Sequence, residues 1–260
     1  MDKGICIYTV VPVRKEASET SEMVTQILFG ETYTIIEKKD KWAFIELDFD
    51  KYKGWIDLKL VYFLSQKEYE KIVGGSVKIV DKIFCTARVN GKDGLFYFLA
   101  GSSIPGLIDR KFSIENRFYE LTYPFNQNDI TDVGAVAASQ ALQMLNIPYL
   151  WGGRSSFGID CSGLVQTSYK IAGINLLRDA SQQINMGETV NFLNEIKIGD
   201  VAFFDNEEGR IVHTGILLSS DKIVHASGSV RVDSIDHQGI FNQELEKYTH
   251  KLRVIKRMVK

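Results

Sequence analysis

Cysteine is scarce, and its count is odd. Cys6, Cys85 and Cys161 lie far apart in a chain of 260 residues. That argues against a disulfide framework and leaves room for a free reactive thiol. Long apolar runs are missing as well. No stretch reaches about 18 apolar residues, so no membrane span is expected. The opening segment, MDKGICIYTVVPVRKEAS, has no long apolar core followed by a small-residue cleavage site. A cytoplasmic chain is therefore expected, with a periplasmic or secreted one as the alternative if an export signal was trimmed. Charge of one sign is lacking too: the net charge is −2, which gives a nucleic-acid partner no electrostatic footing. No close Cys-x-x-Cys or His-x-x-x-His pair occurs, so neither a metal nor another cofactor is expected.

What is present is ordinary for a globular chain. Hydrophobic residues make up 45% and charged residues 25%, enough to bury a core without staples. The first ~60 residues read as short strands: Ile5–Val13, Met23–Leu28, Glu31–Lys38, Trp42–Leu47 and Gly54–Asp57. Turn signals at Gly30-Glu31, Lys39-Asp40 and Asp48–Lys53 separate them. Strands so short and so regularly spaced suggest a small barrel, with Tyr33, Trp42, Phe44 and Trp55 as core. Ser65–Val73 reads as a short helix opened by a serine cap, and Gly74-Gly75 as a joint. Strand-like runs return at Val77–Val80, Leu95–Leu99 and Phe118–Leu121.

From Asn128 the pattern changes. Ile130–Leu145 has apolar residues at helical spacing. A glycine-rich loop follows, then a second helical run at Cys161–Ala172, closed by Gly173. Strands are expected at Val201–Phe204, Ile211–Leu218, Ile223–Ala226, Val230–Val232 and Lys251–Met258. Two helices followed by an antiparallel sheet make an α+β domain. The expected division is 1–62, 63–123 and 124–260.

Chemistry concentrates at Cys161. The loop Trp151–Asp160 runs into a helix there, and a helix N-terminus sets unpaired N–H groups and a positive dipole end beside the sulfur. With a nearby cation, such a setting is expected to lower the thiol pKa into the ~3.5–7.5 range. A thiolate nucleophile needs a base that later protonates the leaving amine. Of four histidines, His213 and His225 fall in strand-like runs joined by the turn Ser219–Asp221. Neighbouring antiparallel strands would bring them together, His213 as base and His225 as its orienter. His237 and His250 are read as structural, Cys6 and Cys85 as inert apolar side chains, and Asp200 as a turn residue.

Tyr149-Leu150-Trp151-Gly152-Gly153, Asp160-Cys161-Ser162-Gly163-Leu164 and Arg178-Asp179-Ala180-Ser181-Gln182 follow one another in that order. Gly199–Phe204, His213-Thr214-Gly215 and His225-Ala226-Ser227 complete the series. Together they resemble the signature of NlpC-type cell-wall peptidases. Ile198 and Leu177 stand where that family often has proline. The first ~60 residues are similar to a bacterial SH3-like domain, through Val11–Arg14, Phe29–Glu31, Trp42–Ile45 and Gly54–Ile56.

The resemblance implies a papain-like catalytic domain, helices packed on an antiparallel sheet, preceded by one or two small SH3-like β-barrels. It implies catalysis by Cys161, His213 and His225, with the Tyr149 hydroxyl at the scissile carbonyl. Asp160 and Ser162 match positions that hold substrate, and Arg178, Ser181 and Gln182 match a loop over the cleft. Trp151 is expected as core or cleft wall. Members with this layout cleave between γ-linked D-glutamate and a diamino acid in peptidoglycan stem peptides with a free N-terminal L-alanine. Glu16 and Tyr52 are the candidates for reading that ammonium group. A monomer acting on peptidoglycan-derived peptides is expected. The alternatives are a non-catalytic wall-binding protein, and an amidase or acyltransferase on the same scaffold.

Overall fold

Alternating β-branched and aromatic residues build the first half of the chain as strands. The computed structural model describes residues 2–125 and 130–258. Its backbone separates into two compact units, Met1–Asn128 and Asp129–Lys260.

In the first unit, strands β1 (Lys3–Ile5), β2 (Val10–Arg14), β3 (Met23–Leu28), β4 (Thr32–Lys39), β5 (Trp42–Leu47), β6 (Lys53–Asp57) and β7 (Phe63–Leu64) form one sheet. Their order is β3-β2-β6-β5-β4-β1-β7. The sheet curls around Val11, Val13, Ile27, Tyr33, Ile45 and Ile56, all buried. The sequence run Ile5–Val13 is thus two strands, because β1 pairs with β4 while β2 pairs with β3. Tyr33 and Trp42 are core, as expected, whereas Phe44 and Trp55 are half-buried and pack against each other, tilted by 42° with centroids 5.1 Å apart.

Helix α1 (Gln66–Gly74) starts at Ser65, whose hydroxyl accepts from the Glu68 N–H. Strands β8 (Val77–Ile79), β9 (Phe84–Val89), β10 (Phe96–Leu99), β11 (Ser103–Pro105), β12 (Lys111–Ile114) and β13 (Arg117–Leu121) follow. They make a four-stranded sheet, β10-β9-β13-β12, and a pair, β11-β8. This second sheet shares a core with the barrel: Ile5, Ile7 and Phe29 lie in one cluster with Phe98, Phe112, Ile114 and Tyr119. Phe29 sits edge-on to Phe96, Phe98, Phe112 and Tyr119 at 4.6–6.0 Å.

The second unit opens with α2 (Val133–Gln143), capped by Asp132. A two-residue hairpin, β14 (Arg154–Ser155) and β15 (Gly158–Ile159), leads into α3 (Cys161–Ile171). After the short α4 (Ala180–Gln183) come β16 (Glu188–Val190), β17 (Val201–Asp205), β18 (Ile211–Leu217), β19 (Lys222–Ser227), β20 (Ser229–Ile235), β21 (Gly239–Asn242) and β22 (Lys247–Arg257). They run in sheet order β16-β22-β17-β18-β19-β20-β21, and β22 also pairs with β21. Strands β17 to β22 therefore close on themselves. Ala202, Phe204, Leu217, Ile223, Ile235, Ile240 and Ile255 fill the apolar part of the enclosed space.

Two contacts pin α2 and α3 to the start of β17. The Tyr169 hydroxyl donates to the Gly199 carbonyl. Gly199, at φ +92°, passes so close to Gly134 that a Cβ there would lie 2.2 Å from the Gly134 Cα. Asp200 is fixed as well: its two carboxylate oxygens accept from Arg257 Nε and Nη2 at 2.8 and 2.7 Å.

Candidate active site

Asp160 organises the helix start that carries Cys161. It is the N-cap of α3, with extended backbone at φ −93° and ψ 176°. Its Oδ1 accepts from the Gly163 N–H at 2.7 Å and from the Ser162 hydroxyl at 3.2 Å. Its Oδ2 accepts from the Gly152 N–H at 2.9 Å, which draws the glycine-rich loop onto the helix end. Gly163 is required here, since a Cβ would lie 2.2 Å from the Gly153 carbonyl oxygen.

Arg178 completes this floor. It is only 1% exposed, and its Nη2 and Nη1 meet Asp160 at 2.6 and 3.0 Å. Nη1 also donates to the Ser162 hydroxyl at 2.8 Å. The sequence reading put Arg178 in a loop over the cleft and Asp160 and Ser162 against substrate; the structure joins the three in one buried network beneath Cys161. Gln182 serves as a cap, its Oε1 accepting from the Asp179 N–H at 3.0 Å, while Ser181 is exposed. Gln183, which sequence reasoning missed, is fully buried and donates to the Ser162 and Leu177 carbonyls at 3.1 and 2.8 Å.

Cys161 is the first residue of α3, as expected. Its thiol takes hydrogen bonds from the backbone of Ser162 and of Thr214, the residue after His213. The expected ionisation is not found. Burial, reinforced by the Asp160 charge, pushes the thiol up to about 12, and the two backbone bonds and Arg178 only partly oppose this. The physical reason is burial first, and Arg178 offers little relief because it is already paired with Asp160. Tyr149 shares this environment. Burial, then the charges of Cys161 and Asp160, raise its hydroxyl pKa, so it remains a donor. Trp151 is 62% exposed, which makes it surface and not core.

The imidazoles meet as the strand pairing predicts. His213 Nε2 lies 2.9 Å from His225 Nδ1. Gly215 faces His225 in the register of β18 and β19, and a Cβ on it would lie 2.8 Å from the His225 Cβ. The missing side chain lets the His225 ring reach diagonally to His213, two residues along. Two participants were missed. Asp233 Oδ2 lies 2.9 Å from His225 Nε2, with Arg231 bracing the carboxylate: Nη2 is 3.1 Å from Oδ1 and Nε 2.8 Å from Oδ2. His250, read as structural, stacks on His213 with centroids 4.1 Å apart at 26°. Burial, then the charges of His250 and His225, hold His213 well below its usual 6.5, so its ring is neutral at neutral pH.

Glu16 and Tyr52 belong to the first unit. Glu16 is exposed in the β2–β3 turn, and Tyr52 is half-buried before β6 against the barrel core. Among the described residues, no group of three or more His, Cys, Asp or Glu is arranged to hold a metal ion.

A buried thiol beside backbone donors, together with an imidazole chain ended by a carboxylate, is the kind of set that acyl transfer uses. The NlpC/P60 family model matches residues 146–250. A probable endopeptidase of Haemophilus influenzae is 33% identical over 117 residues, covering 44% of this chain and 72% of that protein. The chain belongs to the NlpC/P60 family. A second model, the bacterial dipeptidyl-peptidase SH3 domain, matches residues 13–59 of this NlpC/P60 protein. The gamma-D-glutamyl-L-lysine dipeptidyl-peptidase of Bacillus subtilis is 28% identical over 222 residues, covering 78% of this chain and 71% of that one. A solved NlpC/P60 family protein from Bacillus cereus superposes with a TM-score of 0.83 at 19% identity, covering 99% of this chain and all of that one. The fold is thus papain-like with an N-terminal SH3-like domain, and the chain is a peptidase of this family.

Proposed function

We propose that this protein is a cysteine endopeptidase that cleaves the amide between γ-linked D-glutamate and a diamino acid, in peptidoglycan stem peptides with a free N-terminal L-alanine. The observations that carry the reading are Cys161 at the start of α3, its sulfur against the backbone of Thr214 next to His213, and the His213–His225–Asp233 chain. The bond type is supported by two relatives named for γ-glutamyl linkages. One is the Bacillus subtilis dipeptidyl-peptidase. The other is a gamma-DL-glutamyl hydrolase of the same organism, 43% identical over 96 residues, 36% of this chain and 23% of that one.

In this reading Cys161 Sγ attacks the γ-carbonyl carbon as its proton passes to His213 Nδ1. The thiol begins neutral, so proton transfer accompanies attack and does not precede it. The Cys161 N–H, at the first helical position, and the Tyr149 hydroxyl meet the developing oxyanion. The C–N bond then breaks as His213 returns the proton to the amine of the diamino acid. A water, deprotonated by His213, attacks the thioester and releases the dipeptide with a free γ-carboxylate and a restored thiol. Glu16, assisted by Tyr52, is proposed to hold the alanine ammonium.

The test is mass spectrometry of products from L-Ala-γ-D-Glu-L-Lys and L-Ala-γ-D-Glu-diaminopimelate. Wild type should release L-Ala-D-Glu, and Cys161→Ala should release none. Glu16→Ala should lose the preference for a free over an acetylated alanine. Cleavage by Cys161→Ala at the wild-type rate would end the cysteine-peptidase reading.

A further inference from the structure

His213, His225 and Asp233 lie on three successive strands, and each is displaced by two residues from its neighbour's partner. Gly215 pairs with His225 and Ile223 pairs with Asp233, so the three side chains form a diagonal on one face of the sheet. His225 is 1% exposed and Asp233 7% exposed, so water does not compete for these bonds.

The hydrogen positions follow from chemistry. An ionised carboxylate only accepts, so the 2.9 Å bond from Asp233 Oδ2 requires the proton of His225 to sit on Nε2. A neutral imidazole has one N–H, which leaves His225 Nδ1 an acceptor. The 2.9 Å contact with His213 Nε2 then requires His213 to donate from Nε2. His213 Nδ1 is left with its lone pair. That nitrogen is the one the reaction needs bare, because Nε2 is already engaged.

We infer that Asp233 is a positioning residue that, through His225, dictates which nitrogen of His213 is free to take the Cys161 proton. This rests on the reading of His213 as base to Cys161. Arg231 holds the carboxylate from the other side and is itself paired to Glu244 at 3.3 Å. His250 stacks on the His213 ring and accepts no part of the chain through His225. When the thiol proton reaches Nδ1, His213 becomes a cation whose Nε2–H still points to His225, and the Asp233 charge stabilises it without itself being protonated.

An asparagine at 233 breaks the order without changing the shape. Its amide can offer N–H to His225 Nε2. His225 would then carry its proton on Nδ1 and donate it to His213 Nε2, which moves the His213 proton to Nδ1 and removes the base.

The experiment is long-range 1H–15N correlation spectroscopy of the full chain with 15N-labelled histidine, signals assigned by single substitutions, together with steady-state kinetics on L-Ala-γ-D-Glu-L-Lys. Wild type should show both His213 and His225 protonated at Nε2. Asp233→Asn should show both protonated at Nδ1, with kcat lower by about 10²–10⁴ and KM little changed. Wild-type His213 protonated at Nδ1 would overturn the inference, and this reading stands even if Asp233→Asn does not fold. Asp233→Asn with wild-type tautomers but lost activity would overturn it too, leaving Asp233 a merely structural residue. Tautomers as expected in an enzyme that cleaves no γ-glutamyl peptide would uphold the proton order and remove only the proposed substrate.

Discussion

Replacing Arg178 by methionine should destabilise the second unit far more than a surface ion pair could. Arg178 and Asp160 are 1% and 9% exposed at the side chain, with their closest approach at 2.6 Å. Removing one partner of a buried pair strands the other, at a cost of about 3–5 kcal/mol. Asp160 keeps three neutral donors, the Gly152 and Gly163 N–H groups and the Ser162 hydroxyl. Their presence puts the expected loss at the lower end, about 3 kcal/mol. With a urea m-value of about 1–3 kcal/mol/M, the midpoint should fall by about 1–3 M. Buried cysteines provide the assay: pulse thiol labelling at increasing urea, read by mass spectrometry, follows the second unit at Cys161 and the first at Cys6. The double variant Asp160→Asn with Arg178→Met should recover part of the loss, because the amide oxygen can still cap Gly163 while no charge is left stranded. A loss below about 1 kcal/mol for Arg178→Met, the range of exposed pairs, would refute the reasoning. So would a double variant less stable than the single one.

The pH dependence has a definite sign. His213 is held well below 6.5 by burial, His250 and His225, and His250 is pushed down to about 4 by burial and His225. Both protonate more readily when unfolded, so their contribution to stability is present above pH 6.5 and lost as pH falls toward about 4. Cys161 labelling midpoints should therefore drop across that window, and the acid limb of kcat/KM should lie below 6.5; a flat midpoint or an acid limb above 6.5 would contradict this. Gly215→Ala would place a Cβ 2.8 Å from the His225 Cβ and 2.9 Å from Ile223 Cδ1. Overpacking of that kind costs about 1–3 kcal/mol. Peptidase kcat should fall as His225 is displaced, and an active Gly215→Ala with an unshifted midpoint would show that the row tolerates a side chain there.

Much of the site was legible because local chemistry repeats itself. An aspartate before a helical run, a glycine-rich loop ahead of it and two histidines in strands joined by a tight turn place Cys161, His213 and His225. Asp233 was hidden for a physical reason. In Val230-Arg231-Val232-Asp233 the valines look like the inward set, yet Val232 is 37% exposed and Asp233 is buried. A strand that contributes to a buried polar row inverts the usual alternation. His250 was hidden likewise, since only the pairing of β22 with both β17 and β21 carries it to His213. The thiol was misjudged because its polar, glycine-rich flanks do not show how deeply the sulfur is buried, nor that Asp160 lies beside it. In the first unit, β2 to β6 were readable from turn residues. The core shared by Phe29 and the second sheet was not, because it is set by contacts some seventy residues apart.

The strand that completes the ring in the second unit, β22, comes last of the ring's six in chain order. While the chain is being made on the ribosome, β17 to β21 can pair as an open ladder, but the histidine row stays wetted and lacks its stacking neighbour until residues 247–257 emerge. The histidine row is thus finished by the last piece of the ring to be synthesised. A half-made chain carries Cys161 without a settled histidine row.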